Sequence, residues 1–380
     1  MKDSPEHLNI MFSPTYAVPV FGYVVPPLAV LVLVVNLLMV WTLGKRELKS
    51  PVNTVLICIA VSDTLAIALP SVPFVYFYTL GFYKDFIPFS WCRAYFSLVH
   101  ILPLMCNMAS LWSTVVLATM RCYSVWRPLH VKSAITNFRT KVIIVLIYMF
   151  SALVYSPILF EYSYTQLSAP SLMDPNSTIV SCHMQKSQTH AMQHFCQVHT
   201  WMQIICTSLL PWFLITFPDA GLLWKLRSTE NERKRLHEQD KARTETGTFL
   251  SKKVVKQRRM TTWLIFLVVS MVWIVEIPFA ISFTKYLSHS QGDVMRSPLG
   301  DNVVFVFLMK YITYPVILII YCFMSQRFRK AFREVMCCMF PAVFREDVSP
   351  NVSSKHTNST SRDRSDGCDV PLNKHSSTSS

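Results

Sequence analysis

Residues 92–126 read CRAYFSLVHILPLMCNMASLWSTVVLATMRCYSVW. The run opens on Cys92, stays almost wholly apolar until Arg121, and then turns basic. At about 1.5 Å of rise per residue, the stretch from Cys92 to Arg121 extends about 43 Å as a helix. A bilayer offers roughly 30 Å of hydrocarbon. Such a helix must tilt or project beyond the apolar layer. With a cysteine to anchor one end and an arginine at the other, it is the axis around which a bundle would be organised.

Six more apolar runs flank it. The seven lie at about 18–43, 52–78, 95–120, 141–162, 197–224, 260–284 and 303–324. Each meets the roughly 20 residues a membrane-spanning helix needs. Backbone groups in lipid must be satisfied within the segment, so these are helices and not strands. The chain is 52% hydrophobic and 15% charged, against about 25% charge for a soluble domain. The expected fold is an all-α membrane protein: a polar N-terminus over 1–17, a seven-helix bundle over 18–324, a short amphipathic helix over 325–340 and a disordered tail over 341–380. Residues 1–17 have no apolar core or small-residue cleavage site, so the first helix is expected to serve as signal anchor.

The net charge of +14 is uneven. Residues 121–141 carry five basic residues and no acid, and 225–259 carry twelve basic against five acidic. The positive-inside rule makes these loops cytoplasmic and places the N-terminus outside. This placement accounts for the basic excess without nucleic acid. The mixed charge of 225–259 reads as cytoplasmic extensions of helices five and six. No metal-ligand spacing, nucleophile–base pair or glycine-rich phosphate loop supports enzyme chemistry. No internal repeat supports a transporter.

Polar residues inside the runs are few, and an intramembrane carboxylate marks function by default. Asn36 and Asp63 lie in helices one and two, and Glu276 in helix six. Pro70 and Pro73 should kink helix two. Cys92, Cys182 and Cys196 fall on the outer side, where disulfides persist. Cys92 with Cys182 is the expected pair, Cys92 with Cys196 the rival, and either leaves one thiol over. The sequon Asn176-Ser177-Thr178 lies outside and is open to glycosylation; Asn351 and Asn358 lie inside and should be unused. Beyond helix seven, SQRFRKAFREVMCCMF places Phe328 and Phe332 at i and i+4 among basic residues. That is an interfacial helix against membrane lipid, with Cys337 and Cys338 suited to palmitoylation. Hydroxyls in the tail could take phosphate.

These features together resemble a rhodopsin-like (class A) G-protein-coupled receptor over about 18–340. Asn36 and Asp63 match the family's polar residues of helices one and two. Arg121 matches the arginine of the D/E-R-Y motif, Pro211 and Pro278 the prolines of helices five and six, and Tyr321 the end of the helix-seven motif. Departures are as informative. Met120 replaces the acid before Arg121. Helix four lacks tryptophan. Val275-Glu276-Ile277-Pro278 replaces C-W-x-P. Ile317 replaces the helix-seven asparagine, with Tyr314-Pro315 slightly earlier. Lys49-Ser50-Pro51-Val52-Asn53, Leu102-Pro103-Leu104-Met105-Cys106, Val275 to Pro278 and Thr313-Tyr314-Pro315 resemble the invertebrate sex-peptide/myoinhibitory-peptide and myosuppressin (FMRFamide-like) receptors.

The resemblance implies a plasma-membrane receptor for a short amidated neuropeptide. It implies coupling to a heterotrimeric G protein, of the Gi/o type, and receptor kinases and arrestin acting at the tail. Pro103 stands where aminergic receptors carry an aspartate, which argues against an amine. A lipid or an unrelated peptide is the rival ligand. Carboxylates for a basic ligand group are Glu276, Glu161, Asp293 and Asp301, and His100 is a further ligand contact. Register counting from Tyr321 and Arg121 sets Lys310 and Asn107 level with Glu276. An ion pair of Glu276 with Lys310 beside Asn107 is expected, since lone charges in lipid are costly. Asp63, Ser110 and Asn36 form the expected cation site. Ile317 removes one oxygen ligand there, so sodium dependence should be weak; no other cofactor is expected. Arg121 and Tyr321 would serve G-protein coupling. With Met120 beside it, Arg121 lacks an adjacent acid to hold the resting state, and basal activity should be raised.

Overall fold

The computed structural model describes residues 14–127, 129–174, 176–186, 189–240, 273–278, 280–282, 298–324 and 326–339. Asp293, residues 1–13, the tail beyond 340 with Asn351 and Asn358, and the end of the 225–259 loop lie outside the described residues. Among the described residues, five helices are long and apolar enough to cross a membrane. They are α1 (Thr15–Gly44), α2 (Pro51–Thr79), α3 (Phe89–Trp126), α4 (Asn137–Glu161) and α5, whose apolar part is His190–Leu222. The described part of the sixth run is α6 (Trp273–Ser282). The seventh is α7 (Pro298–Met324). A separate unit begins with α8 (Gln326–Met339), on which Phe328, Ala331 and Val335 are buried and Phe328 stacks on Phe332.

α3 is longer than its apolar run, at 38 residues. α5 also begins earlier than expected and continues to Asp240. Glu230, Lys234 and Glu238 repeat at i, i+4 there, a pattern that supports a helix in water.

Local chemistry explains the helix starts. Ser50 accepts the Asn53 backbone N–H at 3.2 Å and caps α2, while Pro51 sits at the first turn, where no N–H is needed. The Asn53 amide donates to the Leu48 carbonyl. The Ser-Pro-x-Asn motif is thus a complete helix start. Thr136 caps α4 in the same way, through the Arg139 N–H.

Wide π turns interrupt α1 (Val18–Val24), α2 (Val75–Thr79), α3 (Ser97–Ile101) and α5 (Ile205–Leu209). A proline has no N–H for the carbonyl four residues back and clashes with it. For Pro26, Pro103 and Pro211 those carbonyls belong to Gly22, Val99 and Thr207, each inside a π turn. Two carbonyls in these turns, one of them the freed Gly22 O, accept from neighbouring helices. Thr79 donates to Gly22 O at 2.6 Å, and the Trp112 indole donates to Cys206 O at 3.1 Å. Gly22 is required by closeness. A Cβ there would meet Tyr78 Cβ at 3.1 Å and the Tyr78 backbone at 3.3 Å. Gly81 turns the chain after α2 with φ +86°, a conformation that glycine adopts without steric cost.

The stretch between α4 and α5, read as a loop, contains an antiparallel hairpin: β1 (Tyr162–Pro170) and β2 (Thr178–Lys186), with Gln166 opposite Cys182. Asp174 and Asn176 form its turn, the Asp174 carboxylate accepting the Asn176 N–H. A disulfide joins Cys182 to Cys92 at the head of α3, and Cys182 N donates to Ile87 O at 2.9 Å. Asp85 accepts from Ser171 Oγ at 2.6 Å and from Leu172 N at 3.1 Å. The hairpin is therefore fixed along one edge by covalent, backbone and carboxylate ties.

Trp112→Phe keeps the ring and leaves the Cys206 carbonyl without its donor. It should cost about 1–3 kcal/mol, the typical loss for an unsatisfied buried group. The check is a lower melting temperature of the detergent-purified protein. An unchanged melting temperature would mean that another group satisfies the carbonyl.

Candidate functional site

The bundle core holds a polar cluster drawn from six helices. Glu276 lies on α6 two residues before Pro278, and Lys310 lies on α7 one turn before Tyr314. Lys310 Nζ is 3.0 Å from Glu276 Oε1 and donates to Oε2 at 3.2 Å. Both residues are buried, at 3% and 9% exposure. A pair this dry survives only where its geometry is good, because each ion has lost its hydration. One turn along, the Tyr314 hydroxyl donates to Asn107 Oδ1 on α3 over a long 3.5 Å. Register counting had set Lys310 and Asn107 level with Glu276; Tyr314 was noticed only as part of its Tyr-Pro motif.

Asp63 lies deeper, on α2, at 2% exposure. Ser110, Lys310 and Glu276 all act on its carboxylate electrostatically. Asn36 lies on α1 and is buried at 3% exposure. Its amide donates to Ala60 O at 3.2 Å and Thr64 Oγ1 at 2.9 Å. These bonds lie one turn or less from Asp63 along α2 and tie α1 to that helix. Tyr155 on α4 is buried at 1% exposure, and Thr207 of α5 and Glu276 act on its hydroxyl electrostatically. No sequence signal distinguished Tyr155 from an ordinary core tyrosine.

His100 sits in the α3 π turn, its ring 5.2 Å from Phe96. Its Nε2 is buried without a hydrogen-bond partner among the described residues. Glu161 has a different setting. It ends α4 and is buried, with His199 Nδ1 of α5 at 2.5 Å. The other ring nitrogen of His199 is 2.7 Å from Val154 O, and a carbonyl only accepts, so that nitrogen carries a proton. Glu161 thereby joins α4 to α5, and Glu276 is the carboxylate that faces the central cluster. Asp301 lies on α7, its side chain outside the described residues.

A second polar node ties α2, α3 and α4. Tyr148 OH is 2.6 Å from Ser62 Oγ, and Cys58 Sγ is within 3.7 Å of Tyr148 OH and 3.5 Å of Ser113 Oγ. Tyr148 supplies the polar tie from α4 to α2. The sequence reading noticed the missing tryptophan without finding this tie.

Near the other end of α3, Met120 is buried and Arg121 is half-buried, with interactions of its own. Tyr321 lies on α7 and Cys338 on α8, and neither side chain is among those described. Cys337 is exposed on α8. Asn176 is exposed at the hairpin turn. Cys196 is buried on α5.

Residues 23–339 match the family described as serpentine type 7TM GPCR chemoreceptor Srw. The chain belongs to this family of seven-transmembrane G-protein-coupled receptors. It is 27% identical over 332 residues to the sex peptide receptor of Drosophila melanogaster, an alignment that covers 84% of this chain and 73% of that one. It is 26% identical over 368 residues to sex peptide receptor-related protein 2 of Caenorhabditis elegans, covering 93% and 79%. The likeness to rhodopsin-like receptors and to the sex-peptide group that the motifs suggested agrees with these matches.

Glu276→Lys should set two ammonium groups against each other in a dry core and cut surface expression about tenfold or more, as the removal of one partner from a buried pair does. Adding Lys310→Glu restores an opposite-charge pair and should recover most of it. Flow cytometry of the tagged receptor reads both. Failure of the double variant to recover would mean that the two side chains depend on their other neighbours more than on each other.

Proposed function

We propose that the protein is a plasma-membrane receptor for a short amidated peptide and that the Glu276 cluster receives a cationic group of that peptide. The observation that carries this is the charge balance. Among the described residues of the cluster, Asp63 and Glu276 face one ammonium, Lys310. When all three are ionised, one negative charge is left in a low-dielectric core, where it attracts a cation strongly. A guanidinium or ammonium on the ligand answers it, and Arg side chains are suited to bind carboxylates in two-point fashion. The orphan Nε2 of His100, seven residues nearer the disulfide end of α3, supplies a further contact.

In this reading the N-terminus and the α4–α5 hairpin lie outside the cell. Asn176 is glycosylated, and the basic loops face the cytoplasm. Arg121 and Tyr321 engage the G protein's C-terminal helix, with Gi/o as the coupling type. The names of the two relatives, both tied to sex peptide, agree with a peptide ligand. The α8 cysteines take palmitate, and the tail takes phosphate for arrestin.

The test is G-protein activation in cells expressing the chain, challenged with a panel of amidated invertebrate peptides beside amine and lipid panels. A saturable response to a peptide with a basic residue near its amide is expected, with potency reduced about tenfold or more by Glu276→Gln, the scale of one charge-assisted contact. A response confined to the lipid panel would replace the ligand class and leave the receptor standing.

A further inference from the structure

Lys310 pairs with the buried Glu276, and its charge also acts on a second buried carboxylate, Asp63. Asn107 and Ser110 are neighbours on one face of α3, about 4.5 Å apart along the axis. Asn107 accepts from the Tyr314 hydroxyl of α7, and Ser110, like Asp63 of α2, is buried in the core and acts on the Asp63 carboxylate. The Glu276–Lys310 pair, the Tyr314–Asn107 contact and the Asp63–Ser110 interaction therefore form successive levels of one polar column. Tyr314 is buried one turn beyond Lys310 on α7, and its hydroxyl reaches Asn107 of α3. Lysine carries a compact ammonium on a flexible four-carbon stem, well suited to exchanging one partner for another. Arginine's planar fork would fit poorly to such movement.

We propose that Lys310 is a tethered cation handed between Glu276 and Asp63. The inference rests on the reading of Glu276 as the ligand's carboxylate. A cation arriving with the ligand takes Glu276, and Lys310 passes down the column to Asp63. Because one ammonium cannot serve both acids at full strength, occupancy of the outer acid sets the charge state of the inner one. Ligand binding on α6 is thereby reported to α2 and α3 without any mobile ion. Tyr314 is the positioning residue in this scheme, since its hydroxyl and Asn107 line the path between the two levels.

The experiment is a cube of variants, Asp63→Asn, Glu276→Gln and Lys310→Met in all combinations, purified in detergent without ligand and melted. With Lys310 present, each acid should back up the other. Either single loss should then be mild, and the double should fall by about 5 °C or more beyond the sum, because it leaves the ammonium unpaired. With Lys310→Met that excess should vanish. Additive losses with Lys310 present, or an equal excess without it, would overturn the proposal. Agonist-independent nucleotide exchange per surface receptor is the second readout, available even if the double variant does not fold. Glu276→Gln should raise it severalfold by leaving Lys310 to Asp63, and Lys310→Met should not. Equal effects of the two would overturn the hand-over. Neither measurement uses a ligand. A failed peptide panel therefore removes the peptide assignment alone, whereas a failed cube removes the relay and leaves the ligand assignment to its own test.

Discussion

The constraint on which the rest depends is the scarcity of neutralising charge in a core that water does not fill. Asp63, Glu276 and Lys310 come from α2, α6 and α7, and each is almost wholly buried. A charge in such a place must be paired, and the pairing must be good. That requirement couples helices whose apolar surfaces alone would let them slide. Apolar contact gives little preference for one register over another in lipid, whereas a carboxylate and an ammonium 3.0 Å apart select one. Asn36 bound to α2 and Tyr148 bound to Ser62 act in the same way with neutral groups.

Backbone irregularity gathers around the same column. Three of the prolines that open π turns sit in α1, α3 and α5, and the turn of α5 includes Cys206 and Thr207. Cys206 accepts from Trp112 of α3, and Thr207 acts electrostatically on Tyr155 of α4. A carbonyl released inside hydrocarbon would be costly, and the Gly22 and Cys206 carbonyls accept from donors on neighbouring helices. Donors that leave their own helix to satisfy another become ties between helices. The bundle is therefore joined most firmly where its helices are least regular, a distribution suited to a core that changes state by rearranging partners.

Much of this was legible from residue types. Seven apolar runs, an uneven basic charge and isolated polar residues follow from the bilayer as solvent, and lipid gives them few alternatives. Glu276 and Lys310 could be brought level because helices of known rise, counted from Tyr321 and Arg121, have predictable depth. What was missed lacks such a ruler. Tyr148, Tyr155 and His199 are amphipathic residues in apolar helices, and whether their polar tips meet a partner depends on helix rotation, which periodicity alone fixes poorly. Glu161 was read as facing a ligand because its partner His199 lies 38 residues away across a hairpin that the sequence presented as a loop. Asn36 was grouped with Asp63 by resemblance, and the bonds of its amide to Thr64 and the Ala60 carbonyl, within a turn of Asp63, depend on helix rotation that residue type does not give.

The position of Glu276 bears on how a change of partner could become a movement. Pro278, two residues on, cannot donate to the carbonyl four residues back, at Ile274, and α6 is weakened there. Glu276 lies inside that weakened turn. A force applied through its carboxylate therefore acts at the point of least bending stiffness, where small work gives large displacement of the helix beyond. One turn back along α6, Trp273 meets Trp212 of α5 with ring centres 6.0 Å apart. A charge at a stiff point of the helix would hold the receptor in one state. Placed beside the proline, the same charge makes the choice of counter-ion a choice between helix directions.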